Sequence, residues 1–213
     1  MSTALKARKR SKSLTGSIVE LVIIVAVALG LALAIQAFIV KPYRIPSGSM
    51  EPTLSIGQRV LVNRIGMDFG SPHVGQIVVF HPPEGAESER CGKATAPGEA
   101  CSQPVEKKAG VNFIKRVVAG PGDEMYIQDG HVYRKAKGTT TFVREKDSYI
   151  RECGSNPQCT YAKPIKIPAG HWFMMGDNRG ESDDSRFWGP VPTSWIIGEA
   201  FFTYWPPNRI GPI

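Results

Sequence analysis

Beyond residue 40 the sequence has no second long apolar run, no helical periodicity and no internal repeat, and before Glu20 it has no acidic residue. The first absences exclude a multi-span membrane protein and a helical bundle, and leave β structure as the expectation for most of the chain. Five of the seven net positive charges sit at Lys6, Arg8, Lys9, Arg10 and Lys12, so the remainder carries only +2. That balance excludes a nucleic-acid partner, which needs a basic face on the folded body. Two familiar hydrolase signatures are also missing. There is no G-x-S-x-G elbow and no H-E-x-x-H helix, and the four histidines stand in unpromising places: His73 and His81 beside prolines, His131 in a turn, His171 after "PAG".

What is present begins with 23 residues, Ile18 to Val40, broken only by Glu20, Gln36 and small residues. As a helix they reach roughly 34 Å, enough to cross a hydrocarbon core of about 30 Å. A cleaved signal peptide is the rival, since the basic tail and "ALAIQA" (Ala32 to Ala37) imitate an n-region and a cleavage site. The run exceeds the usual h-region of about 7 to 15 residues, which favours a retained anchor. The expected organisation is a basic cytoplasmic tail at 1–17, a transmembrane anchor at 18–40 and an extracytoplasmic body at 41–213, oriented by the basic excess on its N-terminal side.

Four cysteines form two close pairs, Cys91 and Cys101 in "CGKATAPGEAC" and Cys153 and Cys159 in "CGSNPQC". Two local disulfides in an oxidising compartment fit best. Zinc fits poorly, because neither pair has a zinc-knuckle gap and no histidine lies close by. Three pairings remain formally open.

The body reads as mainly β, an antiparallel sheet with long loops. Strand-like runs occur at Gln58–Ile65, Gly75–Pro83, Asn112–Asp123, Met125–Lys135 and Gly170–Asn178, each bounded by turn residues. Asp129-Gly130 suits a two-residue hairpin turn. Residues 84–110 read as an insertion loop pinned by the first cysteine pair.

"IPSGSMEPTL", Ile45 to Leu54, is a hydroxyl-bearing turn directly after the apolar run. Serines in turns ordinarily bond the backbone. The spacing adds a chemical possibility: Ser47 and Ser49 flank Gly48, so one hydroxyl can attack while the other steadies an oxyanion. A serine needs a base. Lys115 is the lysine inside a strand-like apolar run, "NFIKRVVAG", and a buried lysine has its pKa lowered because desolvation penalises the charged form. On composition alone a lysine snorkelling at a sheet edge is the favoured reading.

Three segments in order, "IPSGSMEPTL", "FIKRVVAGPGD" (Phe113 to Asp123) and "MGDNRGESDDSRFWGPVP" (Met175 to Pro192), resemble the bacterial type I signal peptidases, membrane-bound serine proteases that remove signal peptides from exported proteins. The resemblance implies Ser49 as nucleophile, Lys115 as general base, Ser47 as oxyanion-hole hydroxyl beside the Ser49 N–H, and Ser182 as the hydroxyl that orients the lysine. It implies that Arg116, Asp177, Arg179, Asp184 and Arg186 form a structural frame of ion pairs. It also implies shallow substrate pockets, lined by Ile45, Pro46, Met50, Leu54, Phe113 and Ile114, that admit only small residues at the first and third positions before the cut. "GESDDS" tempts toward a metal, but the interleaved arginines favour ion pairing; no metal and no cofactor are expected.

The implied partners are exported preproteins and membrane lipid, with Trp188, Trp195 or Trp205 resting in the outer leaflet or, equally, packed in the core. The implied place is the bacterial inner membrane, single-pass, with the catalytic domain periplasmic. Two departures stand out: one span where Gram-negative members often have two, and Gly180-Glu181 where Asp-Asn commonly follows "GDNR". An anchored β domain that binds signal peptides without cutting them, and a dedicated peptidase of a pilus or conjugation system, are the competing readings.

Overall fold

The computed structural model describes residues 14–66, 70–154 and 156–213; the basic residues Lys6 to Lys12 lie outside them. Two compact units result, divided between Ile39 and Val40. The first is helix α1 (Leu14–Phe38), whose stretch Thr15–Leu33 is long and apolar enough to cross a membrane and contains no buried residue. The helix starts four residues before Ile18, and Val40 belongs to the next strand. Lys41 precedes Pro42, and the proline ring disfavours the helical region for the residue before it, so the chain is already extended there.

The second unit is built on two antiparallel sheets. The larger runs β1 (Val40–Arg44), β2 (Arg59–Asn63), β11 (Ile196–Trp205), β3 (Ile77–Phe80), β4 (Phe113–Ala119), β9 (His171–Met175), β10 (Val191–Pro192), with β12 (Gly211–Pro212) added to β11. The smaller runs β7 (Val143–Arg144), β6 (His131–Lys135), β5 (Glu124–Gln128), β8 (Tyr161–Lys166). Side-chain alternation explains β2 and β5, each with one face buried, whereas all four residues of β3 are buried. Asp129 and Gly130 both take positive φ, 52° and 81°, and close the β5–β6 hairpin with Gln128 opposite His131.

β11 is central to the large sheet, paired with both β2 and β3, yet it is absent from the strands expected from sequence. Gly198 and Glu199 interrupt its apolar pattern, and register shifts at Ala200/Phe202 and Ile196/Gly198 break the period of two. Gly198 is there because β2 passes so closely that a Cβ would collide with the Asn63 carbonyl.

Three apolar clusters fill the unit. One, of Ile45, Met50, Leu54, Val60, Val62, Ile77, Val79 and Ala200, lies under the Ser47–Ser49 turn. The second gathers round Phe80, Met174 and Trp188, and the third joins the two sheets through Met125, Ile127 and Phe173. Residues 84–110 are docked rather than free: Cys91 bonds Cys101, the Cys101 N–H donates to the Arg186 carbonyl at 2.9 Å, and bridges run from Pro83 to Lys108 and Glu99 to Lys163. The second disulfide joins Cys153 to Cys159, so both local pairings hold.

Candidate active site

The Ser47–Ser49 turn is fixed from below. Ile45, which precedes it, donates its N–H to Gln58 at 2.8 Å and is buried; the turn then tightens into a short 3-10 segment, Gly48–Met50, whose last side chain is fully buried. With Met50 pulled into the core and Leu54 beneath it, the hydroxyl-bearing side of the turn faces a groove of about 390 Å³. Pro46, Ser47, Gly48, Ser49, Asn112, Phe113, Ile114, Lys115, Glu181 and Asp183 line it.

β4 brings Lys115 to the same groove. Alternation along the strand buries Lys115, opposite Val78 of β3. Its Nζ donates to Ser49 Oγ at 2.6 Å, and Ser47 Oγ donates to the same oxygen at 3.4 Å. Burial pulls the Lys115 pKa from 10.5 down to about 8, against the opposing pull of the Asp184 and Asp183 carboxylates. Asp183 moves the other way, up to about 6, first because it is partly desolvated and then because Asp184 is adjacent. The lysine is thus 5 % exposed and held where a large fraction is neutral near pH 8.

The expected frame of charges forms, with one change. Arg116 clasps Asp177 with two hydrogen bonds, 2.9 and 2.7 Å, and Thr53 Oγ1 donates to the same carboxylate at 2.5 Å. Arg186 clasps Asp184 in the same way, at 2.8 and 3.0 Å. Arg179 instead donates to the Gly176 and Gly130 carbonyls. A guanidinium in the tight interior of the "GDNR" loop meets main chain before it can reach a carboxylate.

Ser182 is 4 % exposed beside Gly176, and its Oγ has no hydrogen-bond partner among the described residues. It therefore does not bond Lys115 in this state. Of the six implied pocket residues, Pro46, Phe113 and Ile114 line the groove, whereas Ile45, Met50 and Leu54 lie in the core cluster under it. These three are apolar in a turn, which looks like a binding wall from sequence, but they are only 2 %, 0 % and 0 % exposed and form the floor that fixes the turn. Asn112, Glu181 and Asp183 are lining residues that sequence reasoning did not single out for the groove. Asn112 heads the quoted lysine strand, and the two acids stand in "GESDDS", where competition among three carboxylates hid them.

The family model described as "Signal peptidase, peptidase S26" matches residues 18–205. The chain belongs to this family. A "Probable signal peptidase I-1" of Synechocystis sp. is 39 % identical over 186 residues, 87 % of this chain and 81 % of that protein. The "Signal peptidase I" of Leptolyngbya laminosa is 36 % identical, over 85 % of this chain and 76 % of its own length. That of Pseudomonas aeruginosa is 32 % identical, over 84 % and 70 %. A peptidase S26 chain is a serine protease hydrolase whose substrates are signal-peptide-bearing preproteins, and every segment on which the resemblance rested lies inside the matched region.

Proposed function

We propose that this signal peptidase cuts by a Ser49–Lys115 dyad while anchored by α1 in a bacterial inner membrane, N-terminus cytoplasmic and residues 41–213 periplasmic. The observation that carries the chemistry is the 2.6 Å contact between a buried, partly neutral Lys115 amine and Ser49 Oγ in a groove open to substrate. With the amine neutral the same contact runs in reverse, and Lys115 takes the Ser49 proton as Oγ attacks the scissile carbonyl. The Ser49 N–H and the Ser47 hydroxyl receive the oxyanion. Collapse passes the lysine's proton to the departing amine of the mature protein. Water, deprotonated by the same lysine, then releases the signal peptide's carboxyl end and restores Ser49. Ser182 orients the amine once substrate has excluded water from the groove. Apolar Pro46, Phe113 and Ile114 favour small side chains next to the cut by leaving no room for large ones.

The membrane reading rests on α1, on the disulfides and on the rim of the large sheet. Trp205 (49 %), Ile56 (63 %), Ile210 (56 %) and Phe201 (39 %) are exposed on β11 and the turns beside it. Trp188 is fully buried and Trp195 packs against the same core, so Trp205 is the indole that meets lipid, through an apolar rim of the kind that marks membrane contact. In the full chain reconstituted with brominated lipid, tryptophan emission should be quenched, and Trp205→Phe should remove most of the quenching. Equal quenching in the variant would discard this contact.

The test of the function is cleavage of a preprotein with an Ala-x-Ala site by the full chain in detergent or lipid. The parent should cut after the small residue, and Ser49→Ala should be folded and inactive. A parent that binds the preprotein without cutting it would support the anchored binding domain instead.

A further inference from the structure

Asn178 holds two successive carbonyls of the serine turn. Its N–H donates to the Ser49 carbonyl at 3.1 Å, and its side-chain Nδ2 donates to the Gly48 carbonyl at 3.2 Å. The same Nδ2 donates its other hydrogen to Glu181 Oε2 at 3.0 Å, while the Glu181 N–H returns to the Asn178 carbonyl at 3.1 Å. Gly48 C=O and Ser49 N–H belong to one rigid trans peptide plane and point in opposite directions, so whatever holds the carbonyl aims the N–H. A carboxylate accepts and never donates when ionised; it therefore fixes which end of the Asn178 amide faces Gly48, since the flipped amide would set oxygen against both the carboxylate and the carbonyl.

We propose that Asn178 and Glu181 are positioning residues for the oxyanion hole: Glu181 locks the Asn178 amide, and Asn178 holds the Gly48–Ser49 peptide so that the Ser49 N–H is aimed at the developing oxyanion. The inference rests on the Ser49 reading above. The Glu51 N–H also donates to the Gly48 carbonyl at 3.0 Å, so the peptide keeps one tether when Asn178 is altered, and the effect is graded rather than total. Glu181 stands where the resemblance leads one to expect Asn, which gives this chain a charged rather than a neutral lock.

The experiment measures kcat and KM of the full chain, with the affinity of a peptide aldehyde that forms a tetrahedral adduct on a serine and of the product peptide with its free carboxyl end. Glu181→Ala should lower kcat about tenfold with KM little changed, less than the hundredfold or more that follows loss of an oxyanion donor itself. Aldehyde affinity should fall by the same factor while product-peptide affinity stays constant. Glu181→Gln, whose amide oxygen can still accept from Asn178, should recover most of the rate. Asn178→Asp, which sets oxygen against the Gly48 carbonyl, should be the slower of the two Asn178 variants when compared with Asn178→Ala.

Loss in KM alone, an unchanged kcat, or equal loss of aldehyde and product affinity would overturn the proposal, as would Gln no better than Ala. If Ser49→Ala itself still cut, the dyad reading would fail first, and the two failures are thereby told apart.

Discussion

Lys115→Met should give a protein that is more stable than its parent at neutral pH and has lost nearly all of its peptidase activity. The folded state lowers the lysine's pKa from 10.5 to about 8, chiefly by burying it. Between those values the unfolded chain binds more protons than the folded one, so stability rises with pH across that window. Below pH 8 the fold carries the whole penalty, about 3 kcal/mol at roughly 1.4 per pKa unit. Methionine has a similar stem and no charge, and loses one hydrogen bond worth about 1 kcal/mol, so the net gain should be about 2 kcal/mol. The gain should shrink as pH rises from 8 toward 10.5. Activity should fall by about 100- to 10,000-fold, the usual worth of a positioned general base. Denaturant unfolding of both proteins at several pH values, with preprotein cleavage alongside, checks both halves. A variant less stable than the parent by a pH-independent amount would mean that Lys115 is not strained by burial.

The second large effect belongs to a residue that touches no substrate. Gly176, at the end of β9, presents its Cα to Ser182 on one side and to the Ser49 carbonyl on the other, and its N–H donates to Asp184 at 3.1 Å. A methyl there would lie far inside contact distance of both neighbours. Neither can retreat easily. The Ser49 carbonyl is held by Asn178, and Ser182 is packed beside the Arg186–Asp184 clasp, with its carbonyl accepting from Arg186 at 3.0 Å. Gly176→Ala should therefore push the Ser49 turn from its place above Lys115. The expected cost is about 3 kcal/mol in stability, at the upper end for overpacking, and about a hundredfold or more in kcat from a displacement on the order of an ångström. Thermal melting and preprotein cleavage measure the two. A variant with parental kcat would show that the turn and the "GDN" loop move independently.

Much of this arrangement was legible in the chain because its signals were local. The Asp129-Gly130 turn, both disulfide loops and the alternation that buries Lys115 each depend on residues close in sequence. β11 was hidden because its bulges answer to β2 and β3, and Gly198 to β2, all more than a hundred residues earlier. The apolar residues of "IPSGSMEPTL" were legible as apolar but not as floor, since only the partner strands decide which side of a turn is covered. Arg179 looked like a partner for a carboxylate because charge is visible in a sequence, while the main-chain carbonyls it meets are not. The Asn178–Glu181 contact to Gly48 spans 130 positions and no pattern of spacing announces it.

The most direct test of the dyad is the pH dependence of kcat/KM, measured on the full chain and on Asp183→Asn. Below its pKa Lys115 is protonated and cannot accept the Ser49 proton, so the rate should rise with pH through about 8 and then level. The ionised Asp183 carboxylate raises the lysine's pKa, and at pH 8 it is ionised because its own pKa is about 6. Removing that charge should shift the rising limb toward lower pH without abolishing it. A limb centred near the ordinary histidine range of about 6.5 and indifferent to Asp183→Asn, or a rate flat from acid to alkaline pH, would contradict a neutral Lys115 as the base.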